Sequence, residues 1–240
     1  MQICLPNPKG KAQSERADFN FLMPIFEKTS HLSKKEAVYT SLLKSIVTGD
    51  LQPGDRIIID DLARKFGHSH IPVREAVQQL AAEGFVEIRP YAGATVSRLG
   101  LEAISEIFEL LEALELIAAR VACERITQEN IADLKALLQR MDTLQADVEQ
   151  WSNHNFEFHE NIIKIAGYTL TMNLLENVRN HWNRVRRVQF PGVFQSNITE
   201  AQKEHWLILE ALQKRDAAGL ENLLRQHNRK ARESYLHQKP

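Results

Sequence analysis

Ser69-His70-Ile71-Pro72-Val73-Arg74-Glu75-Ala76-Val77-Gln78-Gln79-Leu80-Ala81-Ala82-Glu83-Gly84 decides how the rest of this 240-residue chain is read. Val73, Ala76, Val77, Leu80 and Ala81 recur at i, i+3, i+4, i+7 and i+8, one face of an α-helix packed on a core. The opposite face stacks His70, Arg74 and Gln78 four residues apart, long hydrogen-bonding side chains with no apolar member. Ser69 stands where a hydroxyl caps a helix start, and Gly84 where a helix ends. A helix built this way, after a short helix and a turn, has the layout of a DNA recognition helix.

The flanks fit that layout. Ser33 and Glu36 form a capping-box pattern opening a helix to Thr48, with Val38, Leu42, Leu43 and Ile46 as its buried stripe and Gly49 as its stop. Leu51–Arg56 reads as a turn around Pro53-Gly54. Ile59–Phe66 reads as the first helix of the pair, turning Leu62, Ala63 and Phe66 inward, with Gly67 closing it. After the recognition helix, Phe85–Arg89 and Ala94–Ser97 read as two short strands around Pro90–Gly93, a wing. Residues 34–100 hold nine lysines and arginines against eight acids. One such module would bind DNA weakly, because phosphate contacts supply most of the affinity, and a dimer is the natural remedy.

Composition sets the outer limits. Hydrophobic residues make up 43% of the chain, charged residues 25%, and the net charge is −1. That is an ordinary globular composition, with no global charge to attract DNA. Cys4 and Cys123 form no disulfide framework, no apolar run of about 18 residues is present, and the N-terminus lacks a signal-peptide core. A cytoplasmic location is the expectation. Residues 1–33 are expected to be a partly disordered extension, with a cluster from Phe19 to Phe26 that docks on a neighbour.

Beyond a linker at Arg98–Gly100 the period is helical throughout. Helices are expected near 101–125, 127–149, 150–166, 169–189, 197–214 and 216–236. The fold class is thus mainly α: a winged helix-turn-helix over 34–98 and an all-α bundle over 101–236. Three of the nine histidines fall on apolar faces of three different helices. His159 lies with Phe156, Ile162, Ile163 and Ala166, His205 with Ile208, Leu209 and Leu212, and His227 with Leu220, Leu223, Leu224 and Ala231. A single such histidine is more often a satisfied core residue, but three need partners, which one shared metal ion would supply.

The order of features resembles the GntR family of bacterial transcription regulators, in the FadR-like subgroup whose C-terminal part is the all-helical FCD domain. Pro53-Gly54-Asp55-Arg56, Pro72-Val73-Arg74-Glu75-Ala76, Leu80-Ala81-Ala82-Glu83-Gly84-Phe85-Val86, and Arg89-Pro90 with Gly93-Ala94 carry the resemblance, which spans about 34–236. It implies a homodimeric, effector-responsive regulator, a repressor released by a small organic acid, binding a palindromic operator. By resemblance Arg56, Ser69, His70, Arg74 and Gly93 face DNA. Ile71 and Gln78 extend that surface. Where the family has Ser-Arg-Thr-Pro this chain has Ser69-His70-Ile71-Pro72, so its operator preference should differ.

The resemblance also implies a divalent metal held by an aspartate and three histidines, matched here by Asn155, His159, His205 and His227. Asn155 replaces the aspartate and is a weaker ligand, which leaves zinc, nickel and manganese all open. Leu111 stands where many relatives have an arginine that can hold an effector carboxylate. Arg184 and Arg187, with Arg186, are candidate substitutes, set against their reading as a solvated basic helix end. His154 is expected to be exposed, and Trp182 and Trp206 near the pocket. Glu160 and Glu204, as neighbours of ligands, should point away from them. No catalytic residue is assigned and no enzyme is expected. A metal-free ligand sensor and, more remotely, a metal-dependent hydrolase are the alternatives.

Overall fold

The computed structural model describes residues 32–190, 192–193 and 195–237. The expected N-terminal extension with its aromatic cluster lies outside the described residues.

The N-terminal head begins with α1 (Lys34–Thr48). Its capping box is present: Ser33 Oγ accepts from the Glu36 amide at 3.2 Å, and Glu36 Oε2 accepts from the Ser33 amide at 2.8 Å. Gly49, at φ 85°, ends the helix in the left-handed region that glycine enters without a Cβ clash. Then follow β1 (Arg56–Ile57), α2 (Ile59–Phe66), α3 (His70–Ala82), β2 (Val86–Arg89) and β3 (Gly93–Val96). The strands form an antiparallel sheet in the order β1-β3-β2, with Thr95 opposite both Arg56 and Glu87. Val38, Leu42, Ile46, Val73, Val77, Leu80 and Phe85 make the core under the recognition helix α3.

Three local expectations are corrected here. Arg56 belongs to a strand, not only to a turn, since Arg56 and Ile57 close onto β3. A two-residue strand is too short to show a period. Ser69 occupies the cap position with extended backbone, but its hydroxyl makes no capping bond. The helix stops at Ala82, and Gly84 turns the chain at φ 82°.

The bundle comprises α4 (Leu101–Arg125), α5 (Gln128–Thr143), α6 (Val148–Ala166), α7 (Thr169–Arg184), α8 (Ile198–Gln213) and α9 (Ala217–Leu236). The expected helix 127–149 breaks at 144–147, where the Asp147 carboxylate accepts from the Gln150 amide at 3.1 Å and starts α6 anew. The expected helix 169–189 is α-helical only to Arg184 and continues as a π-helical turn over Val185–Gln189. Helix α4 runs through the bundle against α6, α7 and α9. No described helix is long and apolar enough to cross a membrane.

The head is not loosely tethered, as a free linker at Arg98–Gly100 would imply. His181 Nε2 lies 2.8 Å from the Glu83 carbonyl oxygen, and its ring stacks on Phe85 at 4.0 Å with planes 6° apart. Arg184 donates to the Ser97 carbonyl and, at 2.9 Å, to Ser97 Oγ, which donates onward to the Gly84 carbonyl at 2.6 Å. Gln189 donates to the Leu99 carbonyl. One end of α7 thus holds the end of α3 and the start of the linker together.

Candidate metal centre and nucleic-acid interface

Three helices bring the histidines to one point. His159 comes from α6, His205 from α8 and His227 from α9, and all three are buried. One nitrogen from each ring lies within 4.8 Å of the others, the spacing a shared cation requires. Ring centroids stand 4.8–5.2 Å apart.

The outer nitrogens explain how the rings are oriented. His159 Nδ1 lies 2.9 Å from Glu115 Oε1, and His227 Nδ1 lies 2.7 Å from Glu204 Oε2. His205 Nδ1 has only a 3.5 Å contact to Gln202 Oε1. At His227 the carboxylate on Nδ1 holds the proton there and leaves Nε2 as a lone-pair donor, the tautomer a metal ligand needs; at His159 the Glu115 carboxylate is close enough for an ion pair but out of line for a hydrogen bond. His205 Nε2 is buried without a hydrogen-bond partner. An orphaned polar atom at the centre of three imidazoles fits a divalent cation, and the donor set suits zinc, nickel or manganese.

Electrostatics agree. Burial, then the two neighbouring histidines, pushes His205 well below the ordinary imidazole value. Burial also lowers His227, against the opposing pull of Glu204. The neutral rings of His205 and His227 keep their lone pairs available. Burial works to raise Glu115, but His159, Asn228 and His227 together hold its carboxyl net below the usual carboxylate range. Burial works to raise Glu204 too, and His227 and Lys230 more than offset it.

Beside the histidines lies a cavity of about 70 Å³. Its walls are Phe108, Leu111, Phe156, Leu175 and Trp182, with Glu115, Asn155, Asn197, Asn228, Ser234 and Tyr235 as polar members beside the histidines. Asn155 therefore faces the same space as His159 and His227. Tyr235 Oη is buried here without a hydrogen-bond partner. Among the described residues, no arginine or lysine lines the cavity.

That last fact redirects the effector candidates. Arg184 is 1% exposed and committed to Ser97, so it is neither a solvated helix end nor a wall of the cavity. Burial pushes its guanidinium down to about 10. Arg186 is buried as well, donating to Glu149 at 2.7 Å, and Arg187 donates to the same carboxylate. The basic run of α7 is thus consumed by structure. Glu204, expected to point away from its neighbour His205, reaches across to His227 on α9. Glu160 pairs with Lys164 at 3.0 Å. His154 is half-buried against Glu157 rather than exposed. Trp182 lines the cavity as expected, whereas Trp206 points to Asp142.

Sequence reasoning missed Glu115, Asn228 and Tyr235. Glu115 left a signal: it sits among Leu111, Leu114, Ala118 and Ala119 on the buried stripe of α4, a charge where only a partner could hold it.

At the other end of the molecule, α3 turns His70, Ile71, Arg74 and Gln78 to solvent. Ile71 is 68% exposed, an apolar side chain with nothing to pack on. His70 Nε2 is 2.9 Å from Asp60 Oδ1 on α2. The Ser69 hydroxyl, unused as a cap, lies exposed at the start of the helix. Arg56 reaches toward the Ala92 carbonyl at 3.4 Å, and Gly93, at φ 90°, follows the wing tip.

Known proteins share both halves. Residues 34–96 match the bacterial regulatory proteins of the gntR family, and residues 106–230 match the FCD domain. The chain is 28% identical over 204 residues to the HTH-type transcriptional regulator McbR of Escherichia coli K12, covering 84% of this chain and 92% of that one. It is 28% identical over 201 residues to the HTH-type transcriptional repressor RspR of the same organism, covering 83% and 87%. The solved structure of E. coli McbR/YncC superposes with a TM-score of 0.67 at 26% identity, covering 84% of this chain and 96% of that one. Both relatives are named as HTH-type transcriptional regulators, one of them as a repressor.

Proposed function

Because the chain belongs to the GntR family of transcriptional regulators and carries an FCD effector-binding domain, we propose that it is a repressor that leaves its operator when a small organic acid enters the bundle beside a divalent cation. The observation that carries this reading is the convergence of His159, His205 and His227 on one point at the edge of a cavity. Asn155, through its side-chain carbonyl, completes the ligand set. A bound cation would supply the positive charge that the cavity walls lack, and so would attract a carboxylate. The chain's own residues then orient it: the apolar walls take its body, and Asn228 and Tyr235 take its remaining polar atoms. Repression follows the relative RspR, whose name says as much.

DNA is held by Arg56, Ser69, His70, Ile71, Arg74, Gln78 and Gly93. Arg74 reads a guanine edge or clamps a phosphate, and Ile71 reaches a thymine methyl. Two heads engage a palindrome, because the protein is a homodimer. Leu110 and Ile117 on α4, and Leu170 and Leu174 on α7, are 44–73% exposed on two helices that pack together, an apolar face suited to a second copy.

The test is fluorescence anisotropy on a duplex selected from a random library. Zinc-loaded protein should release the duplex on addition of one member of a panel of small carboxylates, and chelation should abolish that release. Arg74→Ala should weaken binding by about 1–3 kcal/mol. Release that persists after chelation would remove the metal from the mechanism.

A further inference from the structure

The stretch Phe19-Asn20-Phe21-Leu22-Met23-Pro24-Ile25-Phe26 takes no part in the function proposed above. Six of its eight residues are large and apolar. Phe19, Phe21, Met23 and Ile25 recur at every second position, so an extended chain would present them on one side. Pro24 works against a helix there. Such a stretch gains by leaving water, and an apolar groove within reach is a natural seat for it.

The junction of head and bundle offers one. A groove of about 340 Å³ lies between the turn after α3 and the helices α4 and α7. Leu99, Ala103, Ile107, Leu110 and Val178 give it an apolar lining, and Leu110 is 44% exposed. Two further grooves carry charge instead. Arg56, Arg89 and Arg98 line the one on the winged sheet, and Glu160, Glu176 and Arg179 line one between α6 and α7.

The chain enters α1 close to the apolar groove. Ser33 caps α1, and Tyr39, about 9 Å further along the helix, donates to Glu83 Oε2 at 2.6 Å. Glu83 is itself a wall of the groove. The residues from Phe26 to Ser33 can span up to about 25 Å, so the stretch reaches the groove of its own chain. Head, α4 and α7 bound the groove on three sides, which suits single side chains from an extended segment. A flat helix face from a second copy would lie across it rather than fill it.

We propose that Phe19–Phe26 docks in this groove of its own chain, seating its alternate apolar side chains between the end of the recognition helix and the bundle. The docking depends on neither the operator nor the metal centre. In the groove the segment lies against His181, and so braces the head on the bundle a second time.

Hydrogen exchange in the full-length protein tests the contact, with a synthetic peptide of residues 17–28 as the free reference. Amides of 19–26 should exchange at least about tenfold more slowly in the protein. Ala103→Trp, which fills the groove, should return them to the free rate, and Leu207→Ser, at an exposed position of α8, should leave them protected. Cross-linking locates the segment independently. In full-length protein carrying Cys4→Ser, a short bismaleimide should join Asn20→Cys to Asn177→Cys, in the groove wall, within one chain. It should not join Asn20→Cys to Lys135→Cys, on the exposed face of α5. Free-peptide exchange in the unaltered protein overturns the docking. Protection that survives Ala103→Trp, with circular dichroism showing a folded protein, overturns the groove. A product that joins two chains overturns the seat on its own chain.

Discussion

His205→Leu should change the sign of its effect with metal. The imidazole is fully buried between Trp151 and Phe158, with ring centroids 5.7 and 5.0 Å away. Without a cation, Nε2 is an unsatisfied buried atom, which costs about 1–3 kcal/mol. Leucine removes that atom, and the misfit of a branched aliphatic in place of the ring costs at most about 1.5 kcal/mol. In chelator the variant should therefore lie between about 0.5 kcal/mol less stable and about 3 kcal/mol more stable than the parent. With metal the order reverses. A cation at about a thousand times its dissociation constant stabilises the parent by about 4 kcal/mol, and the variant, having lost a ligand, forfeits most of that gain. Urea unfolding followed by tryptophan fluorescence, with zinc and with chelator, measures both arms. The converse pattern would refute the reasoning: a variant destabilised by more than about 2 kcal/mol in chelator, together with a parent that ignores zinc, would make His205 a packing residue.

Two further outcomes follow from the same contacts. Glu115→Gln keeps the shape beside His159 but removes the charge that fixes its proton, so zinc affinity in a competition titration should fall about 10–100-fold, and an unchanged affinity would show that Glu115 does not set the ring. Burial lowers His181 below its ordinary 6.5, so the unfolded chain binds the extra proton first. Its contribution is intact above about 6.5 and is lost as the pH falls through the lowered folded value, at up to about 1.4 kcal/mol per pH unit. His181→Phe preserves the stack on Phe85 but not the bond to Glu83. It should be less stable than the parent at pH 8, with the gap closing toward pH 5.5; a constant gap in melting temperature would refute this.

What was legible in the sequence was whatever repeats along one helix. The stripe Val73, Ala76, Val77 and Leu80 placed α3, and His159, His205 and His227 each declared a buried face. Signals that cross between elements were not legible. Glu115 meets His159 from 44 positions away in the chain, and α4 gives no period that names its partner. Glu204 misled because adjacency along a helix says only that two side chains diverge; it is the third helix, α9, that returns to meet it. β1 is shorter than any alternation, and the break at Asp147 depends on one carboxylate turning back onto an amide. Arg184 looked like a solvated end because its acceptors are backbone and hydroxyl oxygens of Ser97, which leave no charge pattern to read.

The triad of Arg184, Ser97 and the Gly84 carbonyl bears on how such proteins could be recombined. A chimaera cut at Gly100, where the linker meets the first helix of the bundle, would transplant a head whose turn after the recognition helix no longer fits the socket prepared by His181 and Arg184. The exchangeable piece is larger than its own hydrophobic core. A graft that carries a foreign head must also carry an aromatic at 85 and a hydroxyl at 97, or bring its own version of the last two turns of α7. In this chain the border between head and bundle is a matter of four side chains, Phe85, Ser97, His181 and Arg184, not of a point along the sequence.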